Sequence, residues 1–288
     1  MKKKIKLGIP KGSLENYTLK IFEGAGFSIE IPERGYLLKI DDPEIEGFLL
    51  RPQEIPKYVE KGKLDAGISG KDWILETRAK VIEVCDLKYA KTDIKEVKWI
   101  LAVPKNSKIK SIKDLEGKTI STEIVNLVKI YLKKNKVKAK VEFSFGATEV
   151  KPPRFVDVIV DVVETGASLK AHNLKILDTI LVSSTKLIAN RFAWQDGWKR
   201  EKIKDLALLL KGVIESEKMV SLMFHAPGKK LNKVLNFFRK SVTVKKIAGE
   251  DWYDISIKCK SKDTRELISK LKKMGCQDII EYSLLKSI

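Results

Sequence analysis

D-V-I-V-D-V-V-E-T-G-A-S-L, residues 157–169, sets a β-branched apolar run directly against a glycine turn. Val158, Ile159, Val160, Val162 and Val163 have the composition of a buried parallel strand. The run stops at Glu164-Thr165-Gly166-Ala167-Ser168, where glycine lets the backbone turn sharply. Helical spacing then resumes, with Leu169 on the apolar side. Such a strand–turn–helix step belongs to an α/β fold. It presents free backbone N–H groups, with the Thr165 and Ser168 hydroxyls, to an anion. Asp161 and Glu164 are placed to accept hydrogen bonds from neighbouring hydroxyls. A phosphate beside a diol describes a phosphorylated sugar. An ordinary helix N-terminus with Thr165 as N-cap fits the same letters.

The surrounding chain alternates strand and helix. Lys4 to Ile9 reads as a strand leading into Pro10-Lys11-Gly12-Ser13, and Leu14, Tyr17, Thr18, Ile21, Phe22 and Ala25 then recur at helical spacing. Gly26 stands where a C-cap belongs. Phe48–Arg51 reads as a strand and Ile55–Lys61 as a short helix. Asp65-Ala66-Gly67-Ile68-Ser69-Gly70-Lys71-Asp72 reads as a strand entering a glycine turn, with a helix at Trp73. A second set begins at Trp99–Val103. It continues with strands at Lys118–Ser121 and Lys140–Phe143, a helix over Ile124–Lys134, the strand after Asp157, and strand material over Leu177–Asn190.

The pattern predicts two α/β lobes around a cleft, the architecture of periplasmic solute-binding proteins, with ligand groups at strand C-termini. The chain is expected to cross into the second lobe near residue 92 and return near 180. Residues 1–91 and 180–216 then form one lobe and 92–179 the other. A linking helix spans Trp198–Ser216. After it, strands at Met219–Phe224, Val242–Ile247, Asp254–Lys260 and Asp278–Tyr282, with helices at Lys229–Phe238 and Thr264–Met274, make a ferredoxin-like βαββαβ module over 217–288.

Composition narrows the function. The 288 residues carry 57 Lys and Arg against 38 Asp and Glu, a net charge of +19. The lysines lie along the whole chain, and no arginine-rich arm, helix-turn-helix or RNP-like pattern accompanies them, so nucleic acid is not the expected ligand. The excess helps attract anionic nucleotides. No run approaches the roughly 20 apolar residues of a membrane span, and the basic start lacks the apolar core of a signal peptide. Cys85, Cys259 and Cys276 lack metal-ligand spacing and read as buried reduced thiols of a cytoplasmic protein. His172 and His225 are too few for a multi-histidine metal centre.

Several segments together resemble one family. Asp161-Val162-Val163-Glu164-Thr165-Gly166-Ala167-Ser168-Leu169, followed by Asn173-Leu174, is similar to the phosphoribosyl-pyrophosphate loop of the ATP phosphoribosyltransferases. Gly8-Ile9-Pro10-Lys11-Gly12-Ser13-Leu14 resembles their opening Pro-Lys-Gly motif, and the segment from Asp65 to Asp72 their next glycine turn. Gly146-Ala147-Thr148-Glu149 and Met223-Phe224-His225-Ala226-Pro227 correspond to two further family segments. The resemblance runs through essentially the whole chain, in the long form that carries a C-terminal regulatory domain. One departure stands out: many relatives have Arg where this chain has Ser13.

The resemblance implies condensation of ATP, through N1, with C1 of 5-phosphoribosyl 1-pyrophosphate, with Mg2+ on the pyrophosphate. It implies a 5-phosphate cradle of Thr165, Gly166, Ala167 and Ser168, with Glu164 and Asp161 on the ribose hydroxyls. Lys11 and Arg51, the candidate catalytic residues, stand at strand ends where they face nucleotide or pyrophosphate; a surface salt bridge fits each of them equally. Ser69 and Gly70 read as a second anion turn or as a tight strand–helix connection. Trp73 and Trp99 read as core. The family further implies histidine as feedback inhibitor, bound through Ser241 and Thr243 with His225 and Asp278, in a homo-oligomer built from dimers into a hexamer, with no separate regulatory subunit. A non-catalytic two-lobed binding protein is the contrasting expectation.

Overall fold

The computed structural model describes residues 3–32, 35–87, 96–163, 166–238 and 242–288. The described residues divide into two compact units, through Ala207 and from Leu208 onward.

The first unit holds two sheets. One is built from β1 (Ile5–Pro10), β2 (Ile29–Glu30), β3 (Leu37–Ile40), β4 (Ile45–Leu50), β5 (Ala66–Gly70) and β6 (Ile82–Leu87), carrying helices α1 (Glu15–Ala25), α2 (Ile55–Glu60) and α3 (Lys71–Thr77). The other is built from β7 (Val97–Pro104), β8 (Thr119–Thr122), β9 (Lys140–Phe143), β10 (Val158–Val163) and β11 (Leu174–Ser183), with α4 (Val125–Lys134) and α5 (Ala167–Ala171). The chain then returns to the first sheet as β12 (Thr185–Ala189), followed by α6 (Arg191–Gln195) and α7 (Gly197–Ser216). Strand order is β2-β3-β4-β1-β5-β12-β6 in the first sheet and β11-β7-β10-β8-β9 in the second. These are the two lobes.

The apolar run of β10 is explained by burial on both faces. Val158 and Val160 pack with Leu101, Ile120, Val128 and Leu132, while Ile159 packs on the opposite side with Ile100, Ala102, Leu169 and Leu174. A strand shielded twice has no polar alternation to show. Its neighbours differ from the expectation of a purely parallel strand: β10 runs parallel to β8 but antiparallel to β7. The return crossing is also later than residue 180, which lies inside β11; the chain re-enters the first sheet only at Thr185. The outward crossing falls between Leu87 and Val97, so the expected position near 92 lies outside the described residues. Strands β2, β3 and β6 escaped the sequence reading because they are short or carry interspersed charges and half-buried positions.

The second unit contains β13 (Met219–Pro227), α8 (Leu231–Leu235), β14 (Val242–Lys246), β15 (Trp252–Lys260), α9 (Thr264–Lys273) and β16 (Gln277–Ser283). The order β14-β15-β13-β16, with antiparallel neighbours throughout, is the ferredoxin-like arrangement. Alternation along β13 buries Val220, Leu222, Phe224 and Ala226, the last three against Val234, Ile255, Ile257 and Leu271. The opposite face stays open. The division between units falls within α7, at 207/208, rather than at its end. Cysteine burial is uneven: Cys276 is buried, whereas Cys85 and Cys259 are only partly so.

Candidate active site

The C-terminal ends of the central strands converge on a cavity of about 250 Å3 between the two lobes. Ser13 and Leu14 after β1, and Gly70, Asp72 and Trp73 at the β5–α3 turn, line it from the first lobe. Trp99, Glu123 and Asp161 line it from the second, and Ser183 to Thr185 close it at the return crossing.

Two candidate cations stand at neighbouring strand ends, Arg51 directly before the cavity-lining Pro52. β1 and β4 pair in parallel with Pro10 opposite Leu50, so Lys11 and Arg51 leave adjacent strands at the same level. The Lys11 ammonium lies 4.6 Å over the Tyr36 ring. An Arg51 guanidinium nitrogen lies 3.3 Å from where a side chain on Gly12 would begin. Neither cation has an ion-pair partner among the described residues. Arg51 also stands beside the Gly12-Ser13 turn, where many relatives supply their own arginine.

Ser69 and Gly70 separate in role. The Ser69 side chain is fully buried and its hydroxyl donates to the Pro52 carbonyl at 2.7 Å, so it braces the turn from behind and does not face a ligand. Gly70 lines the cavity, and a Cβ there would lie 2.0 Å from an Asp72 carboxylate oxygen. The residue is glycine because Asp72 folds back over it.

In the second lobe, burial raises the Asp161 carboxyl to about 6; the Val162 N–H, donating at 2.7 Å, opposes the rise, whereas Glu149 and Glu123 add to it. Burial likewise raises Glu123, with Lys151 acting against it. Lys151 donates to Ser144 at 2.6 Å, a bond internal to the segment between β9 and β10. Gly166 is left-handed, φ 76° and ψ 6°, and opens the five-residue helix α5 with Ala167 as its first residue. The Ser168 hydroxyl donates to Glu149 at 2.6 Å, and this bond holds Glu149 below the usual carboxylate range. Glu164 and Thr165 lie outside the described residues.

Sequence reasoning missed the pair Asp72 and Trp99. The indole N–H of Trp99 donates to Asp72 at 2.7 Å, so this buried tryptophan is both core and cavity wall. The position of Asp72 directly after the Ser69-Gly70 turn was the available signal. Glu149 and Lys151 were likewise legible only as part of a motif.

In the second unit, the His225 and Asp278 side chains meet at 3.1 Å. Thr243 pairs with Ser256 on β15 and is exposed. It shares the open face with His225 but is separated from β13 by one strand, roughly 10 Å at ordinary strand spacing. Thr243 therefore stands apart from the His225–Asp278 pair, and Ser241 lies outside the described residues.

Comparison with known proteins agrees with this geometry. The ATP phosphoribosyltransferase family profile matches residues 51–212, and that of its C-terminal domain matches 216–286. An ATP phosphoribosyltransferase of Chlorobium phaeobacteroides is 49% identical over 286 residues, 99% of this chain and 97% of that protein. The Thermodesulfovibrio yellowstonii enzyme of the same name is 49% identical over 288 residues, 99% of both chains. Among solved structures, a chain of the Thermotoga maritima ATP phosphoribosyl transferase (HisG:HisZ) complex aligns with TM-score 0.64 at 30% identity, covering 74% of this chain and 100% of that one. The non-catalytic binding-protein reading is thereby set aside. The chain belongs to the ATP phosphoribosyltransferases, pentosyltransferases that condense ATP with 5-phosphoribosyl 1-pyrophosphate to phosphoribosyl-ATP and pyrophosphate in the first step of histidine biosynthesis.

Proposed function

We propose that the two lobes divide the substrates, ATP and pyrophosphate facing Lys11, Arg51 and Gly70, and the phosphoribosyl group facing Asp161, Glu164 and the 165–168 turn. The observation that carries this reading is one interlobe cavity lined by Ser13, Pro52 and Gly70, close in sequence to Lys11 and Arg51, and by Asp161 and Glu123, whose carboxyls burial raises. Displacement at the anomeric carbon develops positive charge on the sugar and negative charge on the leaving group. Positioning and charge neutralisation therefore matter more than a strong base. Lys11 and Arg51 take the negative charge. Asp161 and Glu164 accept hydrogen bonds from the ribose hydroxyls. Gly166, Ala167 and Ser168, with Thr165, hold the 5-phosphate, which takes the Ser168 hydroxyl from Glu149.

Among the described residues no cluster of three His, Cys, Asp or Glu is built for a resident metal. Glu123 and Asp161 in the cavity suit a Mg2+ that arrives on substrate phosphates and needs only one or two protein carboxylates. When bound, that ion neutralises phosphate charge. The expected result is phosphoribosyl-ATP formation by the purified chain alone, falling by about 100-fold or more when a chelator removes Mg2+. A requirement for an added protein subunit would refute the self-sufficient reading.

Asp161 supplies a pH dependence. Its raised carboxyl is neutral below about 6 and ionised above it. An acceptor for two hydroxyls is needed in the ionised form, so kcat/KM for phosphoribosyl pyrophosphate falls on acidification through about 6. Asp161→Asn lowers the plateau and removes this acidic limb. A limb unchanged in Asp161→Asn would assign the titration to another group.

The C-terminal module, placed in the cytoplasm with the rest of a homo-oligomer of dimers and hexamers, binds histidine and transmits feedback inhibition. Support comes from the βαββαβ fold and from the match to the family's C-terminal domain. Histidine should inhibit the full chain, and Ser241→Ala with Thr243→Ala should blunt that inhibition. A chain ending at Ser216 that stays active and fully inhibited would place the effector elsewhere.

A further inference from the structure

Helix α3 continues directly from β5 of the first lobe, yet one of its faces is bonded to the second. Asp72 and Glu76, one turn apart, share that face. The buried Asp72 carboxylate accepts from Trp99 Nε1 of β7 at 2.7 Å and from Ser183 Oγ of β11 at 2.9 Å; its own N–H donates back to Ser183 Oγ at 3.0 Å. Trp73 meets Trp99 edge-on, ring centroids 6.0 Å apart. The Glu76 carboxylate accepts from the N–H groups of Asn126 and Leu127, at 3.0 and 2.9 Å, in the first turn of α4. The Glu76 carbonyl accepts from Asn126 Nδ2 at 3.0 Å.

The two anchor points differ in place. Asp72 lies against the return crossing, where Ser183 ends β11 and Thr185 pairs with Gly70. Glu76 reaches a helix whose preceding loop carries Glu123 into the cavity. A contact at the crossing and a second one turn away restrict rotation of one lobe about the other. Glu76 takes the role of an N-cap for α4, whose own N-cap position, Ile124, has no side-chain acceptor.

The geometry points to Asp72 and Glu76 as positioning residues that clamp the second lobe on the first and so set the distance between the two substrate half-sites. This rests on the division of substrates between lobes proposed above. Attack of one bound substrate on the other requires reacting atoms roughly 3–3.5 Å apart, and a displacement of about 1 Å costs on the order of 100-fold in rate. A clamp of this kind governs kcat and leaves each substrate's affinity for its own lobe nearly untouched.

The test uses the full chain with Trp99→Phe, Ser183→Ala, Glu76→Gln and the Trp99→Phe/Glu76→Gln pair. Titration calorimetry gives the Kd of ATP alone and of phosphoribosyl pyrophosphate alone; steady-state kinetics at saturation give kcat. The expected result is each Kd within about threefold of wild type and kcat down about tenfold in single variants, further in the pair. Ser183→Thr, which keeps the hydroxyl, should recover most of kcat. Melting curves confirm that the variants compared are folded. Wild-type kcat in folded Trp99→Phe and Glu76→Gln overturns the proposal. So does a large rise in the Kd of one substrate with kcat intact, which would make these residues part of a binding surface. Lys11→Met and Ser168→Ala, measured beside them, report separately on the half-sites: unchanged affinities there would refute the division of substrates while the clamp variants still read kcat.

Discussion

Gly166→Val should lower kcat/KM for phosphoribosyl pyrophosphate by roughly 100-fold or more while leaving a folded protein. Gly166 holds φ at 76°, a left-handed conformation that costs a β-branched residue about 1–3 kcal/mol. The turn relieves that strain by leaving the conformation, and the backbone N–H groups of Ala167 and Ser168 leave with it. Two charge-assisted hydrogen bonds of about 1.5–3 kcal/mol each correspond to roughly 10²–10⁴ in binding. Stability should fall by about the strain itself, because among the described residues the nearest atom to an added Cβ is 4.0 Å away. Gly166→Asn is the informative control, since asparagine tolerates the left-handed region and should retain more activity than valine. Initial rates against phosphoribosyl pyrophosphate, with thermal melts alongside, decide it. A folded valine variant with wild-type KM and kcat would remove the turn from the site.

The second large effect concerns the two strand-end cations. Lys11→Met and Arg51→Ala should each lower kcat/KM by about 10–100-fold, and together by about 1,000-fold, because each removes a charged contact to phosphate oxygens. Arg51→Lys should recover only part of the loss, since the ammonium lacks the planar fork that engages two oxygens. Proximity of Arg51 to the Gly12 turn makes a sharper test possible. Ser13→Arg, which restores the commoner family residue, should change wild-type activity little but recover about tenfold in the Arg51→Ala background. Failure of that rescue would mean that Arg51 does not occupy the place of the missing arginine.

How much of this was legible depends on where each interaction lies along the chain. The 165–168 turn, the Lys11 turn and the Gly70 turn are local features: apolar run, glycine, hydroxyl or cation. Among the described residues, turns are found at Gly12, Gly70 and Gly166. Ser69 shows the limit of that method. Its position in a glycine turn suggested an anion ligand, but its hydroxyl reaches back across 17 residues to Pro52. Strand β10 shows the same limit at the level of topology. Double-sided burial is visible as unbroken hydrophobicity, whereas the antiparallel direction of β7 beside it is not.

The sequence by itself determined the alternation of elements, the two-lobed and βαββαβ architecture, the family, and the glycine turns that follow its strands. Periodicity and glycine act within a few residues, so they can be read from adjacent letters. The tertiary structure alone decided that Lys11 and Arg51 leave adjacent strands at the same level, that Asp161 is desolvated beside Glu123, and that Asp72 bonds Trp99 and Ser183. The last contact spans 111 residues. Its existence depends on where the chain re-enters the first sheet and on how the two lobes pack, and solvation and hydrogen bonding at such distances are properties of packing that no local pattern encodes.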